Sequence, residues 1–204
     1  MPGPRGPTLE MGCGEGRVAR DLAARGHRVV GVDVSPTLIA AASDADAAGR
    51  YLLADAARLP FPDGSFDLVV AYNSLMDLDD LAAAVAETAR VLTPTGVFAV
   101  CVVHPIADAG AFDDRTADAA FRITETYLEP RLVDQTFSRD GLTIRFAGMA
   151  YPLEGYGKAF ESAGFAIERL REPAVAPDAV ERDPGEARWS RLPLFLFLRF
   201  VLRG

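Results

Sequence analysis

The sequence is poor in the residues that build metal centres and disulfide frameworks. It contains two cysteines, Cys13 and Cys101, and two histidines, His27 and His104. So few side chains, placed so far apart, do not match the ligand spacing of a zinc site. Cys13 directly follows the first predicted strand and Cys101 lies on the fifth. Another strand separates the two, which puts the cysteines roughly 10 Å apart, too far for a disulfide. We therefore expect neither a metal site nor a disulfide.

Long apolar runs are also lacking. The most apolar stretch, LPLFLFLRFVL (192–202), is interrupted by Arg199 and is shorter than the ~18 residues that span a bilayer. The opening residues MPGPRGP lack the apolar core of a signal peptide. The formal net charge of −8 would repel nucleic-acid phosphates and anionic lipid. The sequence predicts a cytoplasmic protein, a monomer or homodimer, that binds a small molecule and neither nucleic acid nor membrane.

What the sequence does contain is an alternation of strands and helices. Half of its residues are hydrophobic, and the strands of the first half carry no polar face. That pattern is typical of a parallel sheet covered by helices on both sides. The predicted strands are 8–11, 27–35, 51–55, 66–73, 97–105, 165–172 and 192–202; the predicted helices are 15–25, 36–49, 78–92 and 153–163, and TPTG (93–96) is predicted to turn the chain.

The alternation breaks after Pro105. Residues 106–150 carry scattered aromatic side chains and one recognisable hairpin, with Asp140-Gly141 as its turn. A segment of this length is too short to bury a core of its own. We therefore expect it to be an insert that packs on the sheet.

The stretch LEMGCGEGR (9–17) joins the first predicted strand to the first predicted helix. Its glycines alternate: Gly12, Gly14 and Gly16. Such a loop presents bare backbone amides to a ligand. A dinucleotide site would have G-x-G-x-x-G, but Arg17 stands where the third glycine belongs. Glu10 and Glu15 would oppose a pyrophosphate, so a ligand with a cationic part fits better.

Four segments in this order, LEMGCGEG, GVDVSP, LLADAARLPFPDGSFDLVV and VLTPTGVFAV, resemble class I S-adenosylmethionine-dependent methyltransferases that act on small molecules. The likeness covers nearly the whole chain, including LEGYGKAFESAGFAIERLREP after the insert. It implies an α/β, doubly wound, mostly parallel seven-stranded sheet of order 3-2-1-4-5-7-6 with an antiparallel last strand. Helices would cover both faces, and 106–150 would be a substrate-side insert in one domain, 1–204. It also implies S-adenosylmethionine as cofactor, S-adenosylhomocysteine as product and direct displacement.

The resemblance also implies which residues hold the cofactor. They lie at or beside the carboxyl ends of consecutive predicted strands: Glu10, Gly12, Cys13, Gly14, Gly16, Asp33, Val34, Asp55, Ala56, Tyr72, Asn73 and Ser74. Glu10 and the glycine loop would take the cationic methionine part. The Asp33 carboxylate can accept both ribose hydroxyls, while Asp55 and the Ala56 amide would meet the adenine. Asn73 ends a strand next to the point where strand order reverses, and ligands bind there in open α/β sheets.

Methyl transfer from a sulfonium mainly requires alignment and exclusion of water. A base is needed only when the acceptor must lose a proton, and His104, at the end of the fifth predicted strand, is the candidate. The alternative role for its imidazole is to hold the insert. Tyr151 and Tyr156, together with the insert, are candidates for the acceptor pocket. His27 is expected to be exposed and inert.

Two other functions stay open at this point. One is a non-catalytic module of the same fold that binds the cofactor or acts by interaction. The other is a nicotinamide-dependent oxidoreductase, which Arg17 and the acids around the loop disfavour. Family members usually carry helices ahead of the first strand, whereas seven residues precede Thr8 here. The insert or a partner subunit would therefore have to cover the cofactor, or the cofactor would be more exposed.

Overall fold

The molecule is built around a central sheet. Its structure is a computed structural model that describes Gly3 and residues 6–139 and 141–203. The strands in these residues are β1 (Pro7–Met11), β2 (Arg28–Asp33), β3 (Tyr51–Leu53), β4 (Phe66–Tyr72), β5 (Leu92–Val103), β6 (Gly110–Phe112), β7 (Phe121–Ile123), β8 (Arg131–Arg139), β9 (Leu142–Ala150), β10 (Phe165–Arg171) and β11 (Phe195–Leu202). Seven strands pair in the order β10-β11-β5-β4-β1-β2-β3. β1 to β5 run parallel, and β11 is antiparallel to both neighbours. The predicted order and antiparallel last strand are confirmed.

The helices begin where capping residues place them. They are α1 (Arg17–Ala24), α2 (Pro36–Ala45), α3 (Leu81–Val91), α4 (Pro105–Asp108), α5 (Leu153–Ser162) and α6 (Pro177–Arg182), with 3-10 helices at Leu75–Asp77 and Pro184–Ser190. The Ser35 hydroxyl accepts the Leu38 amide at 3.3 Å, so α2 starts as its Ser-Pro pair predicts. Asp80 accepts the Ala83 amide at 2.9 Å, and α3 therefore starts later than predicted.

Helices cover both faces of the sheet, as predicted. Leu22 of α1 packs with Leu68 and Val70 on one face. Side chains of α3 and α5 join the larger cluster on the other face, which includes Val69 and Phe98. Successive side chains of a strand point to opposite faces of the sheet, so Leu68 and Val70 of β4 pack on one face and Val69 packs on the other. In the described part of the chain, no helix is both long enough and apolar enough to cross a bilayer.

Four phenylalanines close the core between α5 and the antiparallel end of the sheet. The rings of Phe160 and Phe200 stack with centroids 3.8 Å apart and an interplanar angle of 3°. Phe98 lies 5.5 Å from Phe160 and 5.8 Å from Phe165. All four are at most 2% exposed. Aromatic contacts of this kind add to the stabilisation that burial alone provides.

Two local predictions are wrong. TPTG (93–96) does not turn the chain but belongs to β5 as a bulge, because Leu92 pairs with Phe66 and Val97 pairs with Leu68. Pairing with β4 on both sides of these residues keeps them extended. His27 is not exposed: it is 7% accessible, and its Nδ1 lies 3.2 Å from the Thr8 hydroxyl. Burial lowers the pKa of this imidazole.

The strands of the insert form two separate two-stranded sheets, β6–β7 and β8–β9. The β8–β9 pair confirms the predicted hairpin, although Asp140 of its turn lies outside the described residues. The hairpin meets the Leu75–Asp77 helix at Gly148, where an added Cβ would lie 2.7 Å from the Met76 carbonyl oxygen. Side chains of the hairpin remain accessible, with Leu132 71% and Phe146 56% exposed.

We predict that Phe160→Ala lowers the free energy of unfolding by about 3–5 kcal/mol, because it removes a buried ring and leaves a cavity against Phe200. Urea unfolding measures the change. Phe197→Ala is the matched control, since that ring is 38% exposed and its loss should cost only about 1–2 kcal/mol. Equal losses in the two variants would contradict the core described above.

Candidate functional site

The glycine loop follows β1 and is open on one side. Gly12, Gly14 and Gly16 have φ angles of +68°, +54° and +79°, a region that favours glycine. An added Cβ at Gly12 would lie 2.4 Å from the Ser74 Cβ, and one at Gly16 would lie 2.8 Å from the Tyr51 ring. At Gly14 no atom lies within 4 Å of that position. The loop is therefore packed at its ends and accessible at Gly14.

The Asp33 carboxylate ties this loop to the end of β2. Its Oδ2 accepts the Gly14 amide at 2.8 Å, and its Oδ1 accepts the Ser35 amide at 2.9 Å. The structure thus brings together the two positions on which the predicted site depends. An ionised carboxylate has about four lone-pair sites, so Asp33 can accept further hydrogen bonds from a ligand.

Glu10 is a buried acid with an orphaned oxygen. The residue is 2% exposed, and its Oε2 has no hydrogen-bond partner. Burial raises the pKa of Glu10 to about 8, although the Ala19 backbone and Arg17 favour the charged form. A buried polar atom without a partner costs free energy. A ligand that brings a positively charged donor would satisfy it.

The residues after β4 close the other side of the loop. The Ser74 hydroxyl donates to the Met11 carbonyl at 2.7 Å. Asn73 has a φ of +51°, and in the described residues no other non-glycine residue has a positive φ. Its amide donates to the Cys101 carbonyl at 2.8 Å. Tyr72 lies under the Arg17 guanidinium, 5.6 Å from it. This strained, well-tethered turn lies at the edge where β1 and β4 end side by side.

Cys13 serves the loop through its backbone and its size. Its amide donates to the Val32 carbonyl at 2.9 Å, and an added Cβ at Gly31 would lie 2.9 Å from its sulfur. Burial raises the pKa of the Cys13 thiol to about 12. A thiol held protonated is a poor nucleophile, so no covalent chemistry is expected from it.

An exposed apolar edge lies beside Asp33. Val34 is 65% exposed, and Leu53, which pairs with Asp33 in the sheet, is 59% exposed. Asp55 lies two residues beyond the end of β3 rather than at it, and its Oδ1 accepts the Ala57 amide at 2.8 Å. Ala56 is 4% exposed. These residues form one rim of the site, and Leu53 was not anticipated from the sequence.

His104 has both ring nitrogens engaged. Nδ1 accepts the Ile106 amide at 3.1 Å and so carries no proton, while Nε2 lies 2.9 Å from the Glu172 carboxylate. The residue is 8% exposed. This arrangement places the single ring proton on Nε2, facing Glu172. The geometry favours the holding role, in which His104 fixes the start of α4 against the residue that follows β10.

A cavity of about 260 Å³ adjoins the turn after β4. Its lining residues are Met76, Asp77, Val103, Asp108, Val133, Phe146, Ala147, Gly148 and Met149. Desolvation and the Asp33 charge raise the pKa of Asp77. Burial raises the pKa of Asp108 to about 6, with Arg131 acting in the opposite direction. The two carboxylates were not anticipated, because the sequence carried no motif at either position.

Of the predicted acceptor-side tyrosines, Tyr156 lies deeper than Tyr151. It is 3% exposed, and its ring centroid is 5.4 Å from that of Tyr151. Burial is the main reason that the pKa of Tyr156 is raised, and Asp108, Tyr151 and Asp77 add to the effect. Both cavity carboxylates thus act electrostatically on the Tyr156 hydroxyl. In the described residues, no group of three or more acidic, histidine or cysteine side chains is placed to hold a metal ion.

Sequence comparisons place this chain among methyltransferases. Residues 9–100 match the family described as methyltransferase domain. A malonyl-[acyl-carrier protein] O-methyltransferase from Serratia marcescens is 38% identical over 89 residues, 44% of this chain and 35% of the relative. A demethylmenaquinone methyltransferase from Tropheryma whipplei strain Twist is 31% identical over 190 residues, 87% of this chain and 74% of that protein. For several other curated relatives, the chain spans about a third to a half of their length (37–50%).

A structural comparison agrees with the sequence comparisons. The crystal structure of an S-adenosylmethionine dependent methyltransferase from Mesorhizobium loti superimposes with a TM-score of 0.78 at 25% identity. The match covers 98% of this chain and 93% of that one. The likeness therefore extends through the insert and the antiparallel end of the sheet, beyond the segment that the family match covers.

We predict that Glu10→Gln makes the protein more stable at high pH. The pKa of folded Glu10 is about 8 against an ordinary 4.5, so folding binds a proton between these values. Wild-type stability is therefore highest below the ordinary pKa and falls as pH rises to about 8. The variant should gain on the order of 2–4 kcal/mol over wild type above pH 8 and almost nothing at pH 4.

Urea unfolding between pH 4 and pH 9 measures this difference. Glu181→Gln is the control, because that residue is exposed and should give a constant offset. If Glu10→Gln also gave a constant offset, the Glu10 carboxyl would be ionised and solvated in the folded state.

Proposed function

Because the chain belongs to the class I S-adenosylmethionine-dependent methyltransferases, we propose that it transfers a methyl group from that cofactor to a small-molecule acceptor. One observation carries the proposal. Glu10, just before the glycine loop, carries an orphaned buried oxygen, and the Asp33 carboxylate accepts the Gly14 amide where the loop is open. The cavity that can hold the acceptor adjoins the turn after β4. The nearby acids suit a cofactor with two positive charges better than they suit an anionic dinucleotide.

The residues present fit this cofactor. Glu10 can take the ammonium of its methionine part, which would satisfy the orphaned oxygen. The open face at Gly14 leaves room for that part against bare backbone. Asp33 can accept the ribose hydroxyls with its remaining lone pairs. Val34 and Leu53 provide apolar surface on which the adenine ring can lie.

The remaining predicted contacts are assigned as part of the same proposal. Asp55 and the Ala56 amide lie on the rim beyond β3 and would meet the adenine edge. Tyr72, Asn73 and Ser74 close the loop from the β4 side and keep the site rigid. Gly12, Cys13 and Gly16 act through their backbone. Rigid placement of this kind matters because the reaction depends on alignment.

The cofactor supplies a methyl group on a sulfonium, which is a good leaving group. The protein's share is therefore to bind, orient and exclude water rather than to provide a nucleophile. The largely apolar lining of the cavity suits an acceptor with an apolar body. Tyr156 supports this region from a buried position, and Tyr151 lies beside it.

Calorimetry with S-adenosylhomocysteine and, separately, with NAD tests the cofactor class. Binding of the first and not of the second is expected. Transfer of a labelled methyl group to members of an acceptor panel then distinguishes an enzyme from a binding module. A protein that bound neither compound would contradict the proposal.

We predict that Asp33→Asn weakens S-adenosylhomocysteine binding by about 1.5–3 kcal/mol, or roughly 10- to 150-fold, because a charge-assisted hydrogen bond is lost. Asp44→Asn, an exposed change on α2, should leave binding unchanged. Since Asp33 also holds the Gly14 and Ser35 amides, urea unfolding must show that the variant is folded. Undiminished affinity would place the ribose elsewhere.

A further inference from the structure

The cavity that adjoins the turn after β4 has an apolar lining except for two carboxylates. Asp77 ends the short helix after β4, and Asp108 ends α4 after β5. Both line the same space of about 260 Å³ together with Val103, Val133 and the Phe146–Met149 segment. An acceptor with an apolar body would therefore meet acidic groups at the sheet edge and apolar groups elsewhere.

The charges that face these carboxylates are known for the described residues. The Asp33 charge acts on Asp77, and both cavity carboxylates act on the Tyr156 hydroxyl. Arg131 is the cation that acts on Asp108, and its guanidinium donates to the Asp108 carbonyl oxygen. No ion pair in the described part of the chain involves Asp77. The net charge of the groups around the cavity is therefore negative.

His104 does not supply a free base for this cavity, because its Nδ1 accepts the Ile106 amide and its Nε2 faces Glu172. Asp108 follows four residues later, one helical turn along α4, and does line the cavity. Its carboxylate is therefore better placed than the imidazole to receive a proton from an acceptor.

Resting on the function proposed above, we propose that the acceptor is an amine, bound as a cation between Asp77 and Asp108, and that Asp108 takes the proton its nitrogen must lose. The N–H bond breaks and the proton moves to the Asp108 carboxylate. The freed electron pair forms the bond to the methyl carbon, and the pair of the broken carbon–sulfur bond stays on sulfur. Asp108 then returns its proton to solvent.

Charge favours an amine over other acceptors. A deprotonated hydroxyl is an anion, which Asp77 and Asp33 would repel, whereas an ammonium that loses a proton becomes neutral. A carboxylate acceptor would be repelled from the start. Burial holds the pKa of Asp108 near 6, so the group is ionised at neutral pH and accepts a proton more readily than an exposed aspartate does.

Binding is tested first, on the complex with S-adenosylhomocysteine. The aromatic probes are 2-phenylethylamine, 2-phenylethanol and 3-phenylpropionate, and the aliphatic probes are hexylamine, hexanol and hexanoate. Ligand-observed NMR measures the binding of each probe. Each amine should bind at least about 10-fold more tightly than the matched alcohol and carboxylate, as expected for one charge pair. Asp77→Asn and Asp108→Asn should each reduce this preference, and the exposed change Asp118→Asn should not. Amines that bind no better than the matched alcohols and carboxylates overturn the proposal.

Methyl transfer to the tightest-binding amine separates the two roles. Asp77→Asn should mainly raise KM. Asp108→Asn should lower kcat about 100-fold and remove the loss of rate that wild type shows as pH falls below about 6. An unchanged pH profile in Asp108→Asn overturns the base assignment. If S-adenosylhomocysteine itself fails to bind, the proposed function fails; if it binds and the amines are not preferred, only the amine assignment fails.

Discussion

The contact between the Gly14 amide and the Asp33 carboxylate is the interaction on which the site depends. It exists because β1 and β2 are parallel neighbours, with Met11 beside Val32, so that both strands end at the same edge. It also needs a loop with positive φ at Gly14 and a small residue at position 31 to admit Cys13. Strand order, glycine placement and one acid thus act together, and none of them would form the site alone.

Glu10 is a residue at this edge that lowers the stability of the fold. Its oxygen is buried without a partner, and burial raises the pKa of the carboxyl far above its ordinary value. Residues selected only for stability would avoid this arrangement, since an unpaired buried acid lowers the free energy of unfolding. A cationic ligand converts the same residue into a favourable partner, so ligand binding and folding stability are coupled through this one carboxyl.

The sequence was sufficient for the features that local patterns encode. The seven strands of the central sheet, their order and the loop glycines follow from apolar runs, a spacing of alternate glycines and a family resemblance. The β6–β7 pair had no such signal. The contact of His104 Nε2, the β5 bulge and the burial of His27 involve partners distant in the sequence: Glu172, Phe66 and Thr8. Asp77 and Asp108 were missed for the same reason, because only the folded hairpin makes a cavity that contains them both.

The two kinds of cavity lining come from different parts of the fold. The carboxylates end short helices that directly follow β4 and β5, so the sheet fixes where they lie relative to the glycine loop. The apolar wall comes largely from the β8–β9 hairpin, which meets the Leu75–Asp77 helix and leaves Leu132 and Phe146 mostly exposed. Changes in the hairpin can therefore alter which apolar body fits while the charges stay in place. If the acceptor is the amine proposed above, its shape and the reaction chemistry would depend on different parts of the chain.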